Sequence, residues 1–205
     1  MFYEPASRDK NVLPHDPLKA IVAPRPIGWI STVSSDGVAN LSPYSFFNAV
    51  SSMPDMVMFS SAGWKDSVTN AKATSEFVCN YVSEELAAAM NQSSVTAPSE
   101  IDEFSFAQLE KADCRIVKAP RVAAAPAALE CRVTNIVELD RADGSKGAYV
   151  MVIGEIVGVH IRDEFITPDG RFDAAKARPV TRMGYRDYGA PGEIFEMIRP
   201  PDWTG

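Results

Sequence analysis

Two long alternating runs on either side of one polar turn constrain this chain most. LECRVTNIVEL, residues 129–139, places Leu129, Cys131, Val133, Val137 and Leu139 on one face, with Asn135 as the exception. Glu130, Arg132, Thr134 and Glu138 take the other face. RADGSKG supplies a turn, and AYVMVIGEIVGVHI then continues for fourteen residues. Period-two alternation marks half-buried strands, and fourteen residues is long for one. Gly154 and Gly158 are the places where such a strand bends or takes up a bulge. Long, bent, antiparallel strands joined by turns predict a closed barrel rather than a flat sheet.

The rest of the pattern agrees with a mainly β chain carrying short helices. IGWISTVS alternates, SSDG turns, and VANLSPYSFF resumes, which reads as a hairpin. MVMFSS and EFVCNYV read as further strands. Asp66 or Ser67 is expected to cap a helix reaching about Ser75, with Asp66 preferred. Ser83 is expected to cap SEELAAAMNQ, and FSFAQLEKA, residues 104–112, reads as a third helix. One domain over 1–205 is expected. Its last part, from about Phe172 and containing Pro179, Pro191, Pro200 and Pro201, reads as an extended tail lying on a second subunit.

Composition narrows the function. A net charge of -7 argues against a general nucleic-acid binder, which needs a basic face. Cysteines 79, 114 and 131 show no metal-finger spacing and no even disulfide framework, so a reducing, cytoplasmic setting is expected. The first ten residues contain no apolar signal core, and no run is long enough to span a membrane. With only His15 and His160, a His-rich zinc site cannot be assembled, and no metal is expected. There is no dinucleotide fingerprint, phosphate-loop motif or nucleophile elbow. Any redox chemistry must therefore come from a bound cofactor.

GWKDSVTN, residues 63–70, sets Trp, Lys, Asp and Ser in succession where a strand ends and a helix begins. With RPIGWISTVSSDGVANLSPYSFFNAV before it and EFVCNYV after it, this block resembles the flavin reductase-like family of the FMN-binding split barrel superfamily. Val159-His160-Ile161 and Arg182-Met183-Gly184-Tyr185 echo the family more weakly, and Gly184-Tyr185 stands where a Gly-Gly pair is usual. The resemblance implies an antiparallel, Greek-key-type split barrel. It also implies a homodimer with FMN, or FAD, between subunits, and hydride transfer from NADH or NADPH. A partner oxygenase receiving the reduced flavin is a further expectation.

A flavin phosphate carries close to two negative charges. A helix N-terminus offers unpaired N–H groups and about half a positive charge. Lys65 adds a full charge and Ser67 a hydroxyl, so GWKDSVTN reads as a phosphate seat, with Trp64 covering the ribityl chain or ring edge. From the resemblance, Ser45, Phe46, Phe47 and Asn48 address the isoalloxazine, Trp29 and Thr32 lie near the ring or ribityl chain, and Ser61 also contacts the cofactor. His160 is the one candidate catalytic side chain, at the flavin or nicotinamide edge. Each has a plain structural alternative: Trp29 and the Phe pair as core, Lys65-Asp66-Ser67 as a surface helix cap, His160 as a hydrogen-bonded structural histidine. Two other functions remain open, a flavoredoxin-like role as an FMN-bearing electron-transfer protein with little NAD(P)H activity, and a barrel binding a ligand other than flavin.

Overall fold

A computed structural model describes residues 1–200; Pro201, part of the expected tail, lies outside them. The strands are β1 Arg25–Pro26, β2 Gly28–Val33, β3 Ala39–Tyr44, β4 Phe47–Ser52, β5 Asp55–Ala62, β6 Glu76–Asn80, β7 Lys111–Ala112, β8 Arg121–Val122, β9 Ala127–Leu139, β10 Tyr149–Ile161, β11 Thr181–Gly184 and β12 Asp187–Gly189. The helices are short: α1 Leu18–Ile21, α2 Asp66–Thr74, α3 Ala87–Gln92, α4 Glu103–Phe106 and α5 Ala174–Ala177. Seven strands pair in the order β3-β2-β6-β9-β10-β5-β4, every pair antiparallel.

The two edges of that sheet, β3 and β4, are consecutive in the chain. They also meet in space. A Cβ on Gly28 of β2 would stand 2.4 Å from the Phe47 ring of β4. Only glycine permits that approach, and it brings the sheet round on itself. The barrel interior is filled by Ile30, Phe59, Phe77, Cys131 and Val152, all fully buried. A second apolar layer of Trp29, Leu41, Met90, Phe104 and Val122 lies between the sheet and helices α3 and α4. β2 is therefore buried on both faces, with its polar Ser31 and Thr32 hydrogen-bonded to Pro120 O and Asn40 Oδ1.

The β9–β10 hairpin has the expected length, and its register slips at the expected glycines, between Ile153 and Gly154 and between Ile156 and Gly158. At the first slip Ile153 faces Asn135 while Gly154 faces Val133, leaving Thr134 as the extra residue. One extra residue reverses which side chains point inward. Beyond it Ile136 packs into the barrel core, while Val137 and Leu139, expected inside, are exposed. Gly154 also makes room for Phe77, whose ring would stand 2.4 Å from an added Cβ. Glu130, expected outside, is buried.

Three other expectations change. The third helix is one turn, capped by the Asp102 carboxylate accepting from Phe104 N–H, and Gln108 at φ 57 ends the turn that follows. Ser83 stands before a short turn without forming a side-chain cap. The C-terminal segment is not wholly extended: Val180 joins the core, and β11–β12 form a hairpin pairing with β1 of the same chain. Residues 190–200 have no regular structure.

Candidate functional site

The segment 60–68 turns the end of β5 into the start of α2. Lys65 occupies the position just before the helix, in extended conformation, and no side chain caps it. The expected Asp66 cap is absent because Asp66 is already the first helical residue. The N–H groups of Asp66, Ser67 and Val68 have no protein acceptor among the described residues. Helix starts normally satisfy such donors with a cap. Here they are left unspent beside an exposed lysine.

The Ser67 hydroxyl is not part of that supply. It is buried and donates to Asn40 Oδ1 at 2.8 Å, so only the backbone N–H of Ser67 remains for a ligand. Thr32 is likewise buried, donating to the same Asn40 oxygen at 3.3 Å and accepting from Asn70 Nδ2 at 3.2 Å. Both were expected to face the cofactor; both instead hold α2 on the sheet. Behind them Glu103, itself buried, accepts from Asn40 Nδ2 at 3.2 and 3.1 Å and from Leu41 N–H at 3.0 Å. Burial raises the Glu103 pKa, against the Leu41 and Asn40 hydrogen bonds that lower it. Asn40 lay within the sequence block, but nothing local marked its role. Glu103 lies just outside the expected third helix, at residues 104–112.

Ser60 and Ser61 precede the seat. Their hydroxyls are enclosed and have no hydrogen-bond partner among the described residues, although Ser61 is itself too buried to touch a ligand without local opening. Ser60 N–H donates to Phe46 O at 2.8 Å, which ties the end of β5 to the Ser45–Asn48 segment. Within that segment the four residues diverge. Ser45 lines a cavity of about 340 Å³ together with Arg182 and Tyr188, so the C-terminal hairpin does reach this segment. Phe46 packs against Tyr149, with ring centroids 5.6 Å apart, and Lys19 Nζ sits 5.8 Å over its ring. Phe47 packs on the barrel core. Asn48 is exposed, with its Oδ1 accepting from Ala49 N–H. Trp64 is 45% exposed, donates Nε1–H to Glu138 at 3.2 Å, and carries Lys72 Nζ 4.7 Å over its ring.

Trp29 is a core residue. It is fully enclosed and donates its indole N–H to Ser93 Oγ at 2.8 Å, which leaves no surface for a flavin. His160 does not join the seat within one chain either. Tyr149 pairs with Ala62 beside the seat, and His160 lies eleven residues further along β10, about 35 Å of extended chain. Its Nε2 is 2.6 Å from Glu130 Oε1. Glu130 also accepts from the N–H groups of Arg115, Ile116 and Val117 at 2.9, 2.7 and 2.8 Å. Burial alone raises this carboxyl's pKa. The N–H donors of Arg115 and Val117, with His160 and Ile116, outweigh it and bring it down to about 2.

The end of β5, the Ser45–Asn48 segment and the start of α2 thus form one surface with unspent donors and a lysine. Such a donor set fits a phosphate monoester. No helix among the described residues is long and apolar enough to cross a membrane.

Comparison with known proteins agrees. An uncharacterized protein of Halalkalibacterium halodurans is 33% identical over 184 residues, covering 87% of each chain. The crystal structure of nitrilotriacetate monooxygenase component B from Bacillus cereus superposes with a TM-score of 0.87 at 28% identity, over 96% of this chain and 98% of that one. A split barrel domain protein of Shewanella frigidimarina shares the fold, with a TM-score of 0.83 at 18% identity over 98% and 100% of the two chains. The model of the flavin reductase like domain matches residues 22–176. That span runs from the strand before the closing glycine, through the uncapped helix, to beyond the long hairpin, and the chain belongs to the flavin reductase-like family of split barrels.

Proposed function

We propose that this protein is an NAD(P)H-dependent flavin reductase, working as a homodimer on FMN, with FAD as the alternative flavin. The observation that carries this reading is the uncapped start of α2 beside Lys65. The ammonium and the N–H groups of residues 66–68 would hold the FMN phosphate. Ser45 and the backbone up to Asn48 would lie along the ring, and Trp64 would cover the ribityl side. The bound flavin would supply the redox chemistry, accepting hydride from the nicotinamide. The protein's part is to align two rings and exclude water, which needs no side-chain base.

Assembly is supported by apolar surface. A groove of about 400 Å³ is lined by Phe47, Tyr81, Leu129, Ile161, Phe172 and neighbouring apolar side chains. Phe195 and Ile198 in the C-terminal segment are 73% and 87% exposed. Apolar surface of this kind marks protein contacts, and a second subunit would cover it. Three free cysteines agree with a reducing cytoplasmic setting. The Bacillus cereus relative is by name one component of a monooxygenase, which favours delivery of reduced flavin to a partner oxygenase.

The deciding measurement is anaerobic stopped-flow reduction of FMN on the purified protein. Fast reduction by NADH or NADPH is expected. No reduction by either at millimolar concentration would leave an electron carrier instead. Sedimentation should give a dimer; a monomer at micromolar concentration that still binds FMN tightly would contradict the shared site.

A further inference from the structure

Beside the Glu130–His160 pair opens a separate cavity of about 310 Å³. Arg115, Arg121 and Arg162 line it together with His160. Three guanidinium groups around one cavity are notable in a chain with 20 basic against 27 acidic residues. Their charges are unequally engaged. Arg162 pairs with Glu164 at 2.6 Å and donates to Ala124 O at 3.0 Å. Arg115 and Arg121 have no carboxylate within ion-pair distance among the described residues. Arg121 Nε is enclosed and has no acceptor among the described residues.

The one acid lining the cavity, Glu130, leaves its charge beside them but gives them no hydrogen-bond acceptor. Glu130 Oε1 already accepts from Arg115 N–H and His160, and Oε2 from Ile116 and Val117 N–H. Two carboxylate oxygens offer about four acceptor positions, so this carboxylate is saturated. The saturation also argues against a metal here. Cys114, Glu130 and His160 bring their donor atoms within 4.8 Å of one another, but the carboxylate has no lone pair to spare. Burial pushes the Cys114 thiol up to about 12, which keeps it protonated. An enclosed guanidinium nitrogen without an acceptor is costly, and planar guanidinium groups match phosphate and carboxylate oxygens.

The frame around the arginines is fixed rather than loose. The Arg115 backbone is tied to Glu130, and Arg121 lies in β8, paired with Ala112 of β7. We propose that this cavity is a second anion site, distinct from the Lys65 seat, which takes the phosphate or carboxylate group of a small molecule between Arg115 and Arg121, beside the His160 ring. The proposal does not depend on flavin occupying the Lys65 seat.

His160 is one of only two histidines, so its ring protons can be followed by NMR, with His15→Gln assigning them. Inorganic phosphate is added to the full chain at constant pH, against chloride of matched ionic strength. A saturable shift of the His160 resonance at millimolar phosphate is expected. Arg121→Gln should weaken that binding about tenfold or more, the scale of one lost charge-assisted hydrogen bond, and leave FMN affinity unchanged. Arg115→Gln provides an independent second variant. NADPH, NADH and succinate then separate the sources. Preference for NADPH over NADH points to a nucleotide phosphate, and preference for succinate points to an organic acid; either supports the site. A His160 resonance that moves no more with phosphate than with chloride, or phosphate binding that is unchanged from the parent in both arginine variants, overturns it.

Discussion

The two ends of β10 show how differently a charged residue beside a strand can be used. Near Tyr149, Lys65 stands next to three backbone N–H groups with no protein acceptor among the described residues. Near Ile161, Glu130 sits under three N–H groups and a histidine that fill its acceptor capacity. In sequence the two look alike, an ionisable group next to an apolar run. The first leaves its donors for a ligand; the second spends its acceptor on the fold. Unspent donors, rather than charge as such, distinguish the proposed binding end from the structural one.

The sharpest way to break that contrast is Glu130→Leu. It removes the acceptor of three N–H groups, that of Val117 buried, and of His160, so a loss of about 3–5 kcal/mol is expected in urea unfolding. The same group predicts a pH dependence. Its folded pKa, about 2, lies below the ordinary 4.5, so the unfolded chain binds the proton first as pH falls. The stabilisation is fully present above about pH 4.5 and is lost between there and pH 2. A stability flat across that window would show that the carboxylate is not held as described. Lys65→Ala should weaken FMN binding by about 1.5–3 kcal/mol, while riboflavin, lacking the phosphate, should bind nearly as before. Equal losses for both ligands would remove the seat.

Smaller effects sharpen the contrast further. Trp29→Phe should cost about 1–2 kcal/mol in stability through the lost bond to Ser93 and a small void, with FMN affinity unchanged by titration. A selective loss of FMN affinity would return Trp29 to the site. His160→Ala should cost about 1 kcal/mol in a thermal melt and leave the stopped-flow rate of flavin reduction as in the parent. A slower reduction at parental stability would show that His160 meets the flavin in the assembled dimer.

Much of the fold was legible. Alternation located the long hairpin, and Gly154 and Gly158 located its irregularities. What alternation could not show was that the extra residue falls at Thr134. That parity change carries Ile136 inward and Val137 outward. The site was legible in part: Lys65 and the start of α2 follow from local order, because helix ends are local events. Trp29, Thr32 and Ser67 were misassigned for one reason. A side chain near a ligand-binding backbone can face either way, and only packing decides.

By itself, then, the sequence determined a long-stranded antiparallel barrel and a helix start with a lysine at β5, since these rest on periodicity and local turns. Tertiary structure decided the rest. It closed the sheet at Gly28 against Phe47, buried Trp29 under α3, and spent the Ser67 hydroxyl on Asn40, 27 residues away. It also joined Glu130 to His160 across 30 residues and gathered Arg115 and Arg121 around the same cavity. Hydrogen-bond capacity is short-ranged in space but indifferent to sequence separation. Which donors are left for a ligand therefore depends on every partner the folded chain brings within about 3 Å.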